Sequence, residues 1–205
     1  MEIDTAQQSL RAYYEEEARL QLRQPAAGRR VELRDEFVAL LRAEGRRSVV
    51  DFGAGPGLDG EGFAAMGLDF TGLDLAHRNA VRAAERDILV VQGSIDAPPF
   101  QHAIFDAGWS MSTLMHIRQH DVSRVLSAMA ASLAPGSPLL VGMWGGDQGE
   151  ISGALLGGHP RLFSLRPFDV NLELLAAWGE IEDASTWDAT DDAWQYQVFR
   201  LRIGP

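Results

Sequence analysis

The chain has 205 residues and 22.4 kDa, is 46% hydrophobic and 23% charged, and so has enough length and apolar content for one substantial globular core. Its formal charge of −11 argues against a nucleic-acid partner, whose affinity rests on basic surface. All 18 basic residues are Arg, which rules out lysine Schiff-base chemistry, and the absence of Cys rules out disulfides, thiolate nucleophiles and Cys-ligated metals. No apolar run approaches the ~20 residues of a membrane span. The acidic, polar start MEIDTAQQSL lacks the marks of a signal peptide, so the expected location is the cytoplasm.

Residues 5–22 read as a helix with Leu10, Tyr13, Tyr14 and Leu20 on its apolar positions, and residues 24–28 as a break. A second helix carries Val31, Leu33, Phe37, Leu40 and Leu41 and stops at Gly45. An alternation then begins. Strands are expected at 48–52, 69–73, 88–91, 103–109 and 139–144, with helices at 58–66, 76–85 and 122–133. Strands and helices in this rhythm imply βαβ units and a parallel sheet covered on both faces. The Gly-rich stretch 145–160 breaks the rhythm and reads as a mobile loop or short helix over the C-terminal edge of the sheet. A helix at 172–177 follows, then strands at 180–187 and 194–203 joined by a polar turn. The whole is read as one domain: N-terminal helices over 1–45, a core over 46–144, a variable segment over 145–166, and a helix with a β-hairpin over 167–205.

The chemistry concentrates in Val49-Val50-Asp51-Phe52-Gly53-Ala54-Gly55-Pro56-Gly57. A strand ends in a tight glycine loop and a helix starts. Glycine admits positive φ and close approach of a ligand to the backbone, and the helix start favours anionic or polar ligand groups. This is a nucleotide-type site at the edge of a parallel sheet. Gly55–Gly60 also spells G-x-G-x-x-G, the dinucleotide fingerprint, but three residues late relative to the strand. Asp51 favours another ligand class. A pyrophosphate has no use for a carboxylate there, whereas a ligand bearing a cationic amino group does.

Asp-x-Gly-x-Gly-x-Gly after an apolar strand resembles motif I of the class I S-adenosylmethionine-dependent methyltransferases. The resemblance extends over about residues 30–202. Phe70-Thr71-Gly72-Leu73-Asp74-Leu75 is similar to the family's second strand ending in an acid. Val90-Val91-Gln92-Gly93-Ser94-Ile95 is similar to its third-strand signature, with Ser94 where the family usually has Asp. Phe105–Ser110 resembles the fourth strand, Leu133-Ala134-Pro135-Gly136 the turn before the fifth, and Gln195–Arg202 the antiparallel last strand.

The resemblance implies an α/β fold with a seven-stranded, doubly wound, mostly parallel sheet, its last strand antiparallel, and one or two N-terminal helices as a lid on the cofactor side. It implies S-adenosyl-L-methionine as cofactor and methyl transfer to N, O or C of a small molecule by in-line displacement. Gly53, Ala54, Gly55 and Gly57 would shape the cofactor loop. Asp51 would orient the amino-acid end, Asp74 hold the ribose, Leu75 and Ile95 sandwich adenine, and Ser94 meet its amino group. Trp109 would lie near the sulfonium. His116, in the loop after the fourth strand, is the candidate general base; a histidine that only shapes the pocket is the alternative. Tyr13 and Tyr14 on the lid, and Met143 and Trp144 after the fifth strand, are candidate acceptor contacts.

Arg29, Arg30 and Arg34 are read as a solvated helix face rather than an anchor for the methionine carboxylate. His77, His102 and His159 show no ligand spacing, so no metal site is expected. Trp109-Ser110-Met111-Ser112 stands where methyltransferases of nucleobase amines and glutamine often carry Asn-Pro-Pro-aromatic, which disfavours those substrates. Expected partners are a small-molecule acceptor and, at most, a second copy in a homodimer, with no nucleic acid or membrane. Two other readings are a catalytically silent S-adenosylmethionine-binding module and an NAD(P)-binding oxidoreductase on Gly55–Gly60. A Tyr-x-x-x-Lys catalytic pair is unavailable to the latter.

Overall fold

The computed structural model describes residues 5–25, 28–187 and 194–204. Seven strands form one sheet: β1 (Ser48–Phe52), β2 (Asp69–Asp74), β3 (Val90–Gln92), β4 (Ala107–Met111), β5 (Pro138–Gly145), β8 (Gly179–Trp187) and β9 (Gln195–Ile203). Their order is β3-β2-β1-β4-β5-β9-β8, parallel from β3 to β5, with β9 inserted antiparallel between β5 and β8. The expected fold class is therefore present.

The helices are α1 (Thr5–Leu20), α2 (Arg29–Ala43), α3 (Leu58–Ala65), α4 (His77–Ala84), α5 (Val122–Ala131) and α6 (Phe168–Ala176). No helix among the described residues is long and apolar enough to cross a membrane.

Strand alternation sorts the core into two layers. Val49, Ala107, Trp109, Leu140, Tyr196 and Val198 face Leu33, Phe37, Val38 and Leu41 of α2 and Phe63 of α3. Val50, Phe52, Leu139, Val141, Phe199 and Leu201 face the other way, against Val125, Leu126 and Met129 of α5 and Leu175 of α6. The two N-terminal helices thus part company. α2 packs across the sheet from the cavity described below, and α1 alone covers the C-terminal edge.

Two expectations need correcting. The fourth strand spans Ala107–Met111 rather than 103–109; Phe105 makes only an isolated bridge to Leu133, and Ala103 has a positive φ of 54°, incompatible with a continuous strand. The stretch 145–160 is neither loop nor short helix. It forms β6 (Gly149–Leu156), which pairs antiparallel with β7 (His159–Leu165) as a separate two-stranded sheet. Its turn is Gly157-Gly158, with φ of 58° and 81°, the left-handed pair that tight hairpin turns require. The polar turn expected between the last two strands falls within 188–193, outside the described residues.

Candidate active site

The C-terminal ends of β3, β2, β1 and β4 open onto one cavity of about 440 Å³. That volume suits a small-molecule site. At the β2–β3 side its wall is Asp74, Leu75, Ser94, Ile95 and Asp96; at the β4 side it is Met111, Ser112, Thr113 and His116. Ala6, Gln7, Leu10 and Tyr14 of α1 close it from above, and Leu162 of β7 closes the far side.

Asp74 is the best-partnered carboxylate at the cavity. Oδ2 accepts from Gly55 N–H at 2.8 Å, and Oδ1 accepts from Ala76 N–H and Asn79 Nδ2, each at 2.9 Å. Burial lifts its pKa above the ordinary carboxylate value against the pull of these donors. Three of about four acceptor directions are filled, which leaves one for a ligand hydroxyl. Ser94 Oγ accepts from Gln7 Nε2 at 2.7 Å, so the lid is latched to the third-strand loop.

The glycine loop is shaped by sterics. Gly53 lines the cavity at φ 93°, and a Cβ there would fall 2.0 Å from Thr113 Oγ1. Gly57 begins α3 at φ 77°, with Ile88 Cγ2 only 2.8 Å from where a Cβ would sit. Both positions demand glycine. Ala54, Gly55 and Gly57 form the loop without lining the cavity.

Asp51 also stands outside the cavity wall. It is 2% exposed, and its Oδ1 is buried with no hydrogen-bond partner. Burial first, then the neighbouring Asp59, push its pKa well above the usual value. An orphaned buried carboxylate oxygen behind a glycine loop fits a ligand carrying an ammonium group, because such a group supplies the missing positive charge.

At the other side, His116 is 7% exposed and its ring is fixed at both nitrogens. Nδ1 lies 2.7 Å from Leu162 O, a group that only accepts, so Nδ1 carries the proton. Nε2 then bears the lone pair and accepts from Tyr14 Oη–H at 2.8 Å. Burial lowers the His116 pKa from 6.5 to about 3. The guanidinium of Arg161 sits 4.8 Å from the Tyr13 ring centroid and 4.6 Å from that of Phe163, and its Nη1 reaches Tyr14 Oη at 3.4 Å.

A linkage prediction follows for His116. Its folded pKa is depressed, so the unfolded chain binds the extra proton first, and stability falls as pH drops from 6.5 toward 3. A His116→Phe variant should lose this component, about 5 kcal/mol at full protonation. Denaturant unfolding at pH 7, 5 and 4 checks it; parallel pH profiles for the two proteins would refute it.

Several expected site residues lie elsewhere. Trp109 is fully buried on the far face of the sheet, between Phe37 and Phe63, with Nε1 donating to Asp59 at 3.0 Å, and it does not line the cavity. The alternation that puts Ala107 and Met111 on that face carries Trp109 there too. Met143 is a core residue at 2% exposure, and Trp144 packs edge-on against Tyr196; neither lines the cavity. Tyr13 is buried behind Tyr14, which alone of the pair reaches the cavity. Arg30 is no solvated residue: its Nε bonds Asp59 Oδ2 at 3.0 Å.

Other residues escape sequence reasoning. Arg23 lines the cavity, paired with Glu17 at 3.0 Å, beyond the end of the helix where it had no pattern to mark it. Leu162 and Arg161 come from the hairpin, whose Gly-Gly turn between two runs of six or more residues was the one available signal. Ser112 sits at φ 62°, strained for a non-glycine residue, with Oγ 3.0 Å from Tyr196 Oη.

Fold and site together define an α/β domain in which a glycine loop and an acid at the end of β2 face one cavity. Residues 49–136 match the family model described as a methyltransferase domain, and the architecture is that of the class I methyltransferase fold. Among solved structures it is similar to 1,6-didemethyltoxoflavin-N1-methyltransferase of Burkholderia thailandensis, at 22% identity and TM-score 0.76, covering 100% of this chain and 93% of that one. A SAM-dependent methyltransferase of Methanosarcina mazei matches at 14% identity and TM-score 0.69, covering 78% and 94%. The cyclase SpnF matches at 17% identity and TM-score 0.71, covering 100% and 98%. No curated protein sequence matches the chain.

Proposed function

We propose that the protein transfers the methyl group of S-adenosylmethionine to a nitrogen, oxygen or carbon atom of a small, uncharged or weakly acidic molecule. The observation that carries this reading is the two-sided cavity. Asp74 with Leu75, Ser94 and Ile95 offers an adenosine seat, and the neutral Tyr14–His116 pair stands across from it. When bound, the cofactor would supply a sulfonium-activated methyl carbon open to in-line attack by an acceptor lone pair, with the thioether of S-adenosylhomocysteine as leaving group.

The chain's own residues then act by placement. Asp74 accepts from the ribose, Leu75 and Ile95 flank the base, and Ser94 reaches the base edge. Gly53 lets the backbone approach the amino-acid half, and Asp51 balances its ammonium from behind. Tyr14 donates to His116 Nε2 and so turns its oxygen lone pairs toward an acceptor N–H or O–H. A histidine with a pKa of about 3 stores no proton at neutral pH, so His116 positions Tyr14 and receives a proton only from a group made strongly acidic by methylation. Orientation of this kind can lower a barrier by roughly 7–11 kcal/mol in favourable cases.

The small-molecule class is supported by the enclosed cavity and by the Burkholderia thailandensis relative, whose structure holds 1,6-didemethyltoxoflavin and S-adenosylhomocysteine. An ammonium-bearing acceptor is disfavoured by the guanidinium groups of Arg23 and Arg161, 5.7 and 6.0 Å from the Tyr14 ring centroid. The test is release of S-adenosylhomocysteine from S-adenosylmethionine with a panel of heteroaromatic N–H compounds, phenols and alkylamines. Turnover with members of the first two groups is expected; turnover confined to alkylamines would overturn the acceptor class. Tyr14→Phe should reduce kcat about 10- to 100-fold, the usual scale for a positioned hydrogen-bonding group, and leave S-adenosylhomocysteine affinity within twofold. An equal loss of affinity would move Tyr14 into the cofactor seat.

A further inference from the structure

Asp51 and Asp59 are both sealed from solvent, at 2% and 3% exposure, and each keeps an Oδ1 with no partner. Asp59 stands in the first turn of α3. Its Oδ2 accepts from Arg30 Nε at 3.0 Å, from Arg30 Nη2 and from Trp109 Nε1 at 3.0 Å. Trp109 is in turn the register partner of Asp51 on the neighbouring strand. One guanidinium, bonded to Asp59 and not to Asp51, therefore acts on both buried carboxylates, while Asp51 is tied to Asp59 through the Trp109 pairing. Trp109 orients Asp59 but contributes no charge.

The groups acting on Asp51 come from every element around it. Asp59 of α3 and Asp74 of β2 oppose its ionisation, whereas Arg30 of α2 and Arg23 beyond α1 favour it. Tyr196 of β9 adds a neutral phenol near Arg30. Two like charges beside one cation in a dry site cannot both be held at low cost. The ammonium of the cofactor's amino-acid half requires Asp51 to be charged.

We propose that Arg30 and Asp59 are positioning residues that decide whether Asp51 is charged, and so set the pH range over which the amino-acid half of the cofactor is held. This rests on the methyltransferase reading above. The two residues act with opposite sign. Removing the Asp59 charge frees Arg30 to serve Asp51, and removing the Arg30 charge leaves Asp51 facing Asp59 alone. A role confined to fold stability would damage both variants alike.

The experiment is calorimetric titration of the full chain with S-adenosylhomocysteine from pH 5 to 9, with 5′-methylthioadenosine, which lacks the amino acid, as the second probe. The wild type should lose S-adenosylhomocysteine affinity below a definite pH midpoint. Asp59→Asn should move that midpoint down, and Arg30→Gln should move it up, each by about one pH unit. Arg30→Lys, which keeps the charge if Arg30→Gln folds poorly, should stay near the wild type. Affinity for 5′-methylthioadenosine should be flat with pH and equal in all the proteins. Coincident midpoints, or equal shifts with 5′-methylthioadenosine, would overturn the inference while leaving the methyltransferase reading intact. Failure of the wild type to bind S-adenosylhomocysteine at any pH would overturn both.

Discussion

Asp74→Ala should abolish cofactor binding for practical purposes, with S-adenosylhomocysteine affinity reduced about 100- to 1000-fold. The acid is the only carboxylate among the described cavity residues already braced by three N–H donors from the loop and α4. Its remaining lone pair faces the cavity, where a ribose diol would donate. One hydrogen bond to a charged, buried acceptor contributes roughly 1.5–3 kcal/mol, and loss of the Gly55 brace adds about 1 kcal/mol more, which together reach the stated range. The substitution also strips Gly55 N–H of its acceptor, which loosens the loop that holds the amino-acid half. Calorimetry measures the affinity, and thermal unfolding of the ligand-free proteins separates the two contributions. Loss below tenfold would mean that Asp74 only caps α4.

The largest loss of stability is expected from Arg166→Met, about 3–5 kcal/mol. Arg166 is 4% exposed and has no carboxylate partner among the described residues. Its guanidinium is held by oxygen dipoles: Leu114 O at 2.9 Å, Ile117 O at 3.2 Å, Ser164 Oγ at 2.7 Å and Asn171 Oδ1 at 2.9 Å. Burial brings its pKa down to about 10, still far enough above neutrality to keep the charge. Methionine fills similar space and donates to none of these oxygens, so two backbone carbonyls around the turn that carries His116 are left bare. Urea unfolding at pH 7 checks the magnitude; a change below 1 kcal/mol would show that the turn relaxes onto water.

The cofactor half of the site was legible because its residues are adjacent to strands that announce themselves. Asp74 and Gly53 end apolar runs, and glycine at 53 and 57 fits the positive φ of a tight strand-to-helix turn. The acceptor half was not legible in the same way. His116 was visible as a titratable residue in the right loop, but its proton state depends on Leu162 O, which the sequence places in a glycine-rich stretch with the look of a loop. Trp109, Met143 and Trp144 were drawn toward the cavity by their position at strand ends. Side-chain alternation then turned Trp109 onto the opposite face, packing in the core buried Met143, and Trp144 lies half-buried against Tyr196. Arg30 was misread because its partner Asp59 lies 29 residues away, at a separation no local pattern encodes.

The hairpin of β6 and β7 shares no strand pairing with the main sheet; it is joined to the site by Leu162 O on His116 and to α1 by Ser9 Oγ on Pro160 O. The acceptor wall therefore comes together across sequence separations of 102 residues for Tyr14–His116 and 46 for His116–Leu162, whereas Gly55 and Asp74 are only 19 apart. Closing the longer loops costs more chain entropy before any contact rewards it. The cavity wall around Gly55 and Asp74 thus closes at a smaller entropic cost than the wall around His116. An exchange of the hairpin would change the contact to His116 Nδ1 and leave every hydrogen bond of Asp74 in place.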